Sequence, residues 1–113
     1  MKPIKYHPAA RREIKASHAW YDQRSADAAD GFYEELLPAI DRVQRRPQLH
    51  PPYLYATQRA VFDRYPFSIV YREKPREIQI IAVAHAKRRP GYWMKRLLAR
   101  ITAIPATEIP LSA

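Results

Sequence analysis

Two segments in the first half of the chain have the hydrophobic spacing of amphipathic helices. Across residues 8–23, small and apolar residues recur three or four positions apart, with basic residues on the other side, which predicts a first helix. A second apolar stripe, over residues 32–43, predicts another helix that is capped by Ser25 or Asp27 and ends near Arg46. Because only a short turn after residue 24 separates them, we expect an antiparallel helix hairpin.

Four segments have the alternating or continuous apolar pattern of β-strands. They are predicted at residues 2–6, 54–62, 67–72 and 78–85. Residues 78–85 are apolar on both faces, which is typical of a central strand that is covered on both sides. The last three strands are joined by turns short enough for hairpins, so they are predicted to be antiparallel neighbours. A break at Arg89, Pro90 and Gly91 precedes a short helix over residues 92–101.

Together these elements predict one α+β domain over residues 1–113. Its N-terminal helix hairpin packs on a small antiparallel β-sheet, and a short helix follows near the C-terminus. Residues 102–113 contain two prolines, so we expect a tail that is flexible or packs along the domain.

Positive charge is concentrated where the last predicted strand ends. The chain has 20 Lys and Arg residues against 11 Asp and Glu, a formal net charge of +9. No acidic residue occurs between residues 78 and 107. Such a segment attracts polyanions, either nucleic acid or an acidic protein surface. Excess arginine also occurs on faces that are merely solvated, so charge alone leaves both interpretations open.

Several classes of function are disfavoured by what the sequence lacks. There is no cysteine, and the four histidines have no metal-ligand spacing, so we expect no metal site. Gly31 and Gly91 are the only glycines, which excludes a glycine-rich phosphate loop, and we expect no cofactor. The chain has neither a signal-peptide core nor an apolar run of the roughly 20 residues that span a bilayer. We therefore expect a cytoplasmic protein that has no membrane partner.

Short motifs along nearly the whole chain resemble one protein family. They are YHPAA at 6–10, AWY at 19–21, Phe32 with Glu35 and Leu36, Arg46 with Pro47, Arg59, RYPF at 64–67, IVY at 69–71, IAVAH at 81–85, and RPGYW at 89–93 followed by Arg96. The most distinctive part is the strand followed by H-x₃-R-P-x-Y-W-x₂-R. In order and spacing these motifs resemble the RelE/ParE superfamily of bacterial toxins from type II toxin–antitoxin systems. The resemblance implies the same helix hairpin on a sheet.

The resemblance also implies partners and two alternative activities. A cognate acidic antitoxin would wrap the toxin and suppress it, and the chain would form oligomers only through that complex. ParE-like members, which include the plasmid-stabilisation type, inhibit growth by binding DNA gyrase. RelE-like members are metal-independent endoribonucleases that cut mRNA in the ribosome. A third interpretation is a nontoxic basic binding module on the same fold.

Candidate site residues differ between these activities. Metal-free RNA cleavage needs proton carriers and cations near the phosphate, and His85, Tyr92 and Arg59 are the candidates. A binding site for gyrase or nucleic acid is predicted to use Lys87, Arg88, Arg89, Trp93, Lys95 and Arg96. RelE-like enzymes place lysines at the helix–sheet junction, whereas residues 45–55 contain none, and this favours the ParE-like interpretation. The plainer alternatives are that His85 is structural and that Tyr92 and Trp93 pack in the core.

Overall fold

Two helices and a five-stranded sheet make up the fold. The computed structural model describes residues 1–98, and the predicted tail at 102–113 lies outside them. The elements are β1 (Ile4–Tyr6), α1 (Pro8–Asp22), α2 (Ala26–Arg45), β2 (Pro52–Tyr53), β3 (Thr57–Val61), β4 (Phe67–Glu73) and β5 (Ile78–His85). Single turns of 3-10 helix occur at Pro47–Leu49, Leu54–Ala56 and Met94–Leu97. The α+β class and the helix hairpin are confirmed.

Local capping residues explain where both helices begin. The His7 side chain accepts a hydrogen bond from the Ala9 amide at 3.0 Å, and Pro8 fits the first turn, where its missing N–H has no intrahelical partner. Ser25 caps α2 in the same way through the Ala28 amide at 3.3 Å. The apolar stripes of both helices pack in the main core with residues of the sheet. The observed helix boundaries agree with those predicted from spacing to within about one residue.

The antiparallel pairing predicted for the last three strands is confirmed, but the sheet as a whole is mixed because β1 joins it in parallel. Its strand order is β1-β5-β4-β3-β2, and β1 pairs with β5 in parallel, with Ile4 opposite Ile78 and Tyr6 opposite Ile80. The other pairs are antiparallel. Short turns reveal the direction of consecutive strands only. After β1 the chain runs through the helix hairpin and three other strands before β5 pairs with β1. No local sequence signal indicates whether that pairing is parallel or antiparallel.

Strand β5 is covered on both faces, as its continuous apolar run predicts. The helices cover one face, where Ile78, Ile80 and Val83 belong to the main core. A smaller cluster that contains Trp93 covers Ala82 and Ala84 on the other face. A register shift opposite Val70 and Tyr71 interrupts the strict alternation of β5. Such a bulge re-aims the side chains that follow it, so Val83 rather than Ala82 joins the main core.

Two predicted elements at the edges of the fold differ from the structure. Residues 54–56 do not begin a strand but form a 3-10 turn, and Tyr55 and Ala56 take φ values of 58° and 59°. Within the described residues, the predicted helix at 92–101 is only the 3-10 turn Met94–Leu97. Strand β2 was not predicted, because its two residues are too few to show a period.

The turn between β3 and β4 is held to α2 by one carboxylate. Glu35 accepts hydrogen bonds from the backbone amides of Asp63, Arg64 and Tyr65, at 2.8, 2.9 and 2.7 Å. Desolvation opposes the charged form, but these three bonds outweigh it and lower the pKa of Glu35. The turn therefore keeps a fixed place against the helix hairpin.

Replacing Glu35 by Gln should lower the free energy of unfolding at pH 7 by about 1 kcal/mol, because a neutral acceptor binds the three amides more weakly. A folded-state pKa below the unfolded one means that this contribution is present at neutral pH and is lost as the pH falls through the folded pKa. Urea unfolding at pH 7 and in acid measures both effects. Glu34→Gln, on the exposed neighbouring residue, is the control, and equal losses in the two variants would contradict this role.

Candidate target-binding site

A small pocket at the C-terminal end of β5 collects most of the predicted site residues. It has a volume of about 80 Å³. Its lining includes Arg59, His85, Arg88, Arg89, Tyr92 and Trp93. The three arginines come from β3 and from the segment after β5, so the antiparallel pairing of β3, β4 and β5 brings residues that are distant in sequence to one place. We call the cavity with Arg59, His85, Arg88 and Arg89 the cationic pocket.

Two of the three arginines of the cationic pocket lie against aromatic rings. The Arg59 guanidinium carbon lies 4.1 Å from the centre of the Tyr53 ring, and that of Arg88 lies 3.9 Å from the Tyr92 ring. Within residues 1–98, the side chains of Arg59, Arg88 and Arg89 form no ion pair or hydrogen bond. Contact with a ring restrains a guanidinium while leaving its N–H groups available, so Arg59 and Arg88 are positioned for an external acceptor.

Arg96 is held differently, by a carboxylate that sequence reasoning did not single out. Glu13 on α1 accepts from both terminal nitrogens of Arg96, at 2.8 and 3.0 Å, and from the Tyr92 hydroxyl at 2.5 Å. It also accepts from the backbone amide of Val83 at 3.1 Å, while Arg96 donates to the Ile81 carbonyl at 3.1 Å. We call Glu13, Tyr92 and Arg96 the Glu13 clamp. It fixes the segment after β5 to α1.

The Glu13 clamp changes how two predicted site residues are interpreted. Burial, followed by the hydrogen bond to Glu13, raises the pKa of Tyr92 well above its ordinary value. Tyr92 therefore keeps its proton and shares it with a carboxylate, which is a poor arrangement for a proton carrier. Arg96 neutralises Glu13, with only 17% of its side chain exposed, so its guanidinium is engaged inside the protein rather than offered to a target.

The Trp93 side chain is also buried. It is 1% exposed and packs in the smaller cluster with Val70, Ala82 and Ala84, so in this structure it does not provide an exposed contact for a target. The turn that precedes it contains Gly91 with a φ of 81°, a left-handed conformation that residues other than glycine rarely adopt. By contrast, Lys87 and Lys95 are exposed, as a binding role requires.

His85 stands between the cationic pocket and a second, larger depression. Its ring packs edge-on against Phe67, with 5.0 Å between ring centres, and its Nδ1 accepts from the Lys87 amide at 3.0 Å. On its other side is a groove of about 710 Å³ whose lining is mainly apolar. We call this the apolar groove; its lining includes Ala16, Trp20, Tyr21, Phe67, His85 and Lys87. Trp20 is 51% exposed there, with the Arg24 guanidinium 3.4 Å above its ring.

The sequence predicts neither a metal site nor a membrane-spanning helix. Among residues 1–98, no group of three or more His, Asp and Glu side chains is close enough to hold a metal ion. In the same part of the chain, neither helix is both long and apolar enough to cross a bilayer.

Comparison with known proteins identifies the family. The family model described as the ParE toxin of the type II toxin–antitoxin system, parDE, matches residues 4–90. The chain belongs to the ParE toxin family. The match covers both helices, the whole sheet and the beginning of the cationic segment, and the predicted resemblance to the RelE/ParE superfamily is thereby confirmed on its ParE side.

A solved structure supports the ParE fold. The structure titled "Chromosomal ParDE TA system from P. aeruginosa" matches with a TM-score of 0.67 and 18% sequence identity. The match covers 77% of this chain and 98% of that one. At this identity the likeness concerns the fold alone. No curated protein sequence matches the chain closely.

A double-mutant cycle on Glu13→Gln and Arg96→Gln should show strong coupling. Each single change leaves a partly buried partner uncompensated and should lower the free energy of unfolding by about 2 kcal/mol, with a coupling energy of at least about 1 kcal/mol. Urea unfolding measures all four proteins. The control cycle uses Asp41 and Arg45, an exposed pair on α2, whose coupling should be about 0.3–0.5 kcal/mol. Equal coupling in both cycles would contradict the clamp.

Proposed function

We propose that this ParE-family toxin inhibits growth by binding DNA gyrase through the cationic pocket, and that a cognate acidic antitoxin neutralises it in the cytoplasm. The observation that carries the proposal is the cluster of Arg59, Arg88 and Arg89, which have no counter-charge within residues 1–98. Cations held together without a carboxylate repel one another, and an anionic partner relieves that repulsion. Membership of the ParE family makes gyrase the first target to test.

A ribosome-dependent mRNA endonuclease is the second candidate function. The observation in its favour is that Arg59 and His85, which come from different strands, line the same pocket as Arg88 and Arg89. Against it, the Tyr92 hydroxyl is bonded to Glu13 and its pKa is raised, so of the two predicted proton carriers only His85 is left. A binding role needs the charges alone, and we therefore rank it first.

The apolar groove is the surface on which we expect the antitoxin to dock. It exposes Trp20, a residue type that often dominates binding energy, beside the cations Arg24 and Lys87. An amphipathic acidic segment fits this combination, because its apolar face fills the groove while its carboxylates meet a chain of net charge +9. Any oligomer would then form through the antitoxin complex.

The purified toxin should inhibit gyrase supercoiling and leave in-vitro translation intact. An Arg88→Gln/Arg89→Gln variant should lose about tenfold or more of its inhibitory potency, because the loss of even one charge-assisted contact costs about that factor. Lys74→Gln/Arg76→Gln removes the same charge from the exposed turn at the other end of β5 and should behave as wild type. Unchanged supercoiling at saturating toxin with arrested translation would favour the endonuclease. Normal growth of cells that express the folded toxin alone would favour the nontoxic module.

Trp20→Ala should weaken the affinity for the cognate antitoxin by about tenfold or more while leaving toxicity unchanged. Isothermal titration of the purified pair measures the affinity, and growth without antitoxin measures toxicity. Leu49→Ala removes another exposed apolar side chain, 66% exposed and outside the groove, and should bind as wild type does. Unaltered affinity of the Trp20 variant would rule out the groove as the antitoxin site.

A further inference from the structure

We propose that the cationic pocket is an oxyanion site that binds one phosphate group of a nucleic-acid backbone, so that the toxin itself contacts nucleic acid. This inference rests on the proposed function, because it concerns the same site. It adds the chemical class of the group that the site binds. The protein would then contribute a phosphate contact to a complex in which gyrase holds DNA, in addition to any contact with the gyrase protein.

The charge balance around the pocket favours an anion. Glu13 contacts Tyr92 of the pocket lining, but it is already neutralised by Arg96. No Asp or Glu lines the pocket itself. The three pocket arginines therefore contribute three positive charges that no described residue balances. Because Arg88 and Arg89 are exposed, it is the number of positive charges in one place, rather than burial, that favours an anionic ligand.

The size and donor geometry of the pocket favour a phosphate. A volume of about 80 Å³ admits several water-sized groups, since one water needs about 10–15 Å³ on this scale. That is room for a tetrahedral oxyanion but not for a nucleobase beside it. A carboxylate has two oxygens and satisfies one guanidinium fork, whereas a phosphate offers oxygens to several donors at once. Arg59 approaches from β3 and Arg88 and Arg89 from the segment after β5, so the donors converge from two directions.

Aromatic packing gives two of the three donors a preset position. Arg59 lies on Tyr53, and Arg88 lies on Tyr92, which Glu13 holds in turn. A long side chain restrained before binding loses less conformational entropy when its ligand arrives. Lys87 and Lys95 are exposed in the same segment and are available to the neighbouring phosphates of an extended backbone, as in proteins that track nucleic-acid strands.

The first test uses NMR of the arginine Nε–H groups in the ¹⁵N-labelled toxin. Inorganic phosphate should shift the Nε–H signals of Arg59, Arg88 and Arg89 in a saturable way, and acetate at equal ionic strength should not. Arg96 should respond to neither anion, because the Glu13 clamp holds it. An equal response to acetate, or none to phosphate, would overturn the proposal. The equal response would instead point to a carboxylate of the partner protein.

The second test measures binding of labelled 12-nucleotide DNA and RNA strands and a DNA duplex by fluorescence anisotropy over a salt series. Arg88→Gln/Arg89→Gln should weaken binding by about tenfold more than the charge-matched Lys74→Gln/Arg76→Gln. Loss of one phosphate contact should also reduce the salt slope by about 0.7 for a single strand and about 0.9 for a duplex. Equal losses in the two variants would mean nonspecific attraction and would overturn a phosphate site.

These tests separate the two proposals. A toxin that inhibits gyrase through Arg88 and Arg89 but binds neither phosphate nor nucleic acid would refute the phosphate site and leave the proposed function standing. A toxin that binds phosphate through these arginines but does not inhibit gyrase would refute the proposed function alone. Comparison of the DNA and RNA strands then shows which backbone the site prefers.

Discussion

The hydrogen bonds of the Glu13 carboxylate hold in place the segment that carries the proposed target-binding site. The carboxylate projects from α1 and binds Arg96, the Tyr92 hydroxyl and the Val83 amide, so one side chain joins the first helix, the central strand and the segment that follows it. A partly buried carboxylate of this kind is stable only when its acceptors are satisfied. By holding Tyr92, Glu13 also supports the ring on which Arg88 lies. It neutralises Arg96 and leaves the arginines of the pocket without a partner.

The side chains of this short segment fall into two groups. Arg96 and Trp93 hold the segment against the rest of the domain, whereas Arg88, Arg89 and Lys95 are exposed, as our proposal requires. His85 lies between the cationic pocket and the apolar groove. The two surfaces we propose for the target and the antitoxin therefore share a wall. An occupant of one surface lies next to the other, and this is consistent with a toxin that a bound antitoxin suppresses.

Most of the fold could be predicted because its helices and strands follow from the local periodicity of apolar residues. The limits of β5 follow from its continuous apolar run, and the helix starts follow from Ser25 and the Pro8 signal. The parallel pairing of β1 could not be predicted, since it depends on a connection through most of the chain. The role of Glu13 was missed for the same reason: its partners are about 70 and 80 residues away. The sequence did contain one indication of this role. Residues 78–107 have no acidic residue, so a carboxylate that pairs with their cations must come from another part of the chain, and Glu13 is the first acidic residue of the chain.

If the cationic pocket is the surface that contacts the target, a probe placed there should reach the target while all three pocket arginines are kept. Site-specific photo-crosslinking meets this need, with a photoreactive amino acid at the exposed position 90 in the pocket lining or at position 74 in the turn at the other end of β5. We expect the toxin with the probe at position 90 to crosslink to gyrase or to the DNA it holds, and the toxin with the probe at position 74 not to. Crosslinking from position 74 alone, with the position 90 protein folded and as toxic as wild type, would contradict this role of the pocket.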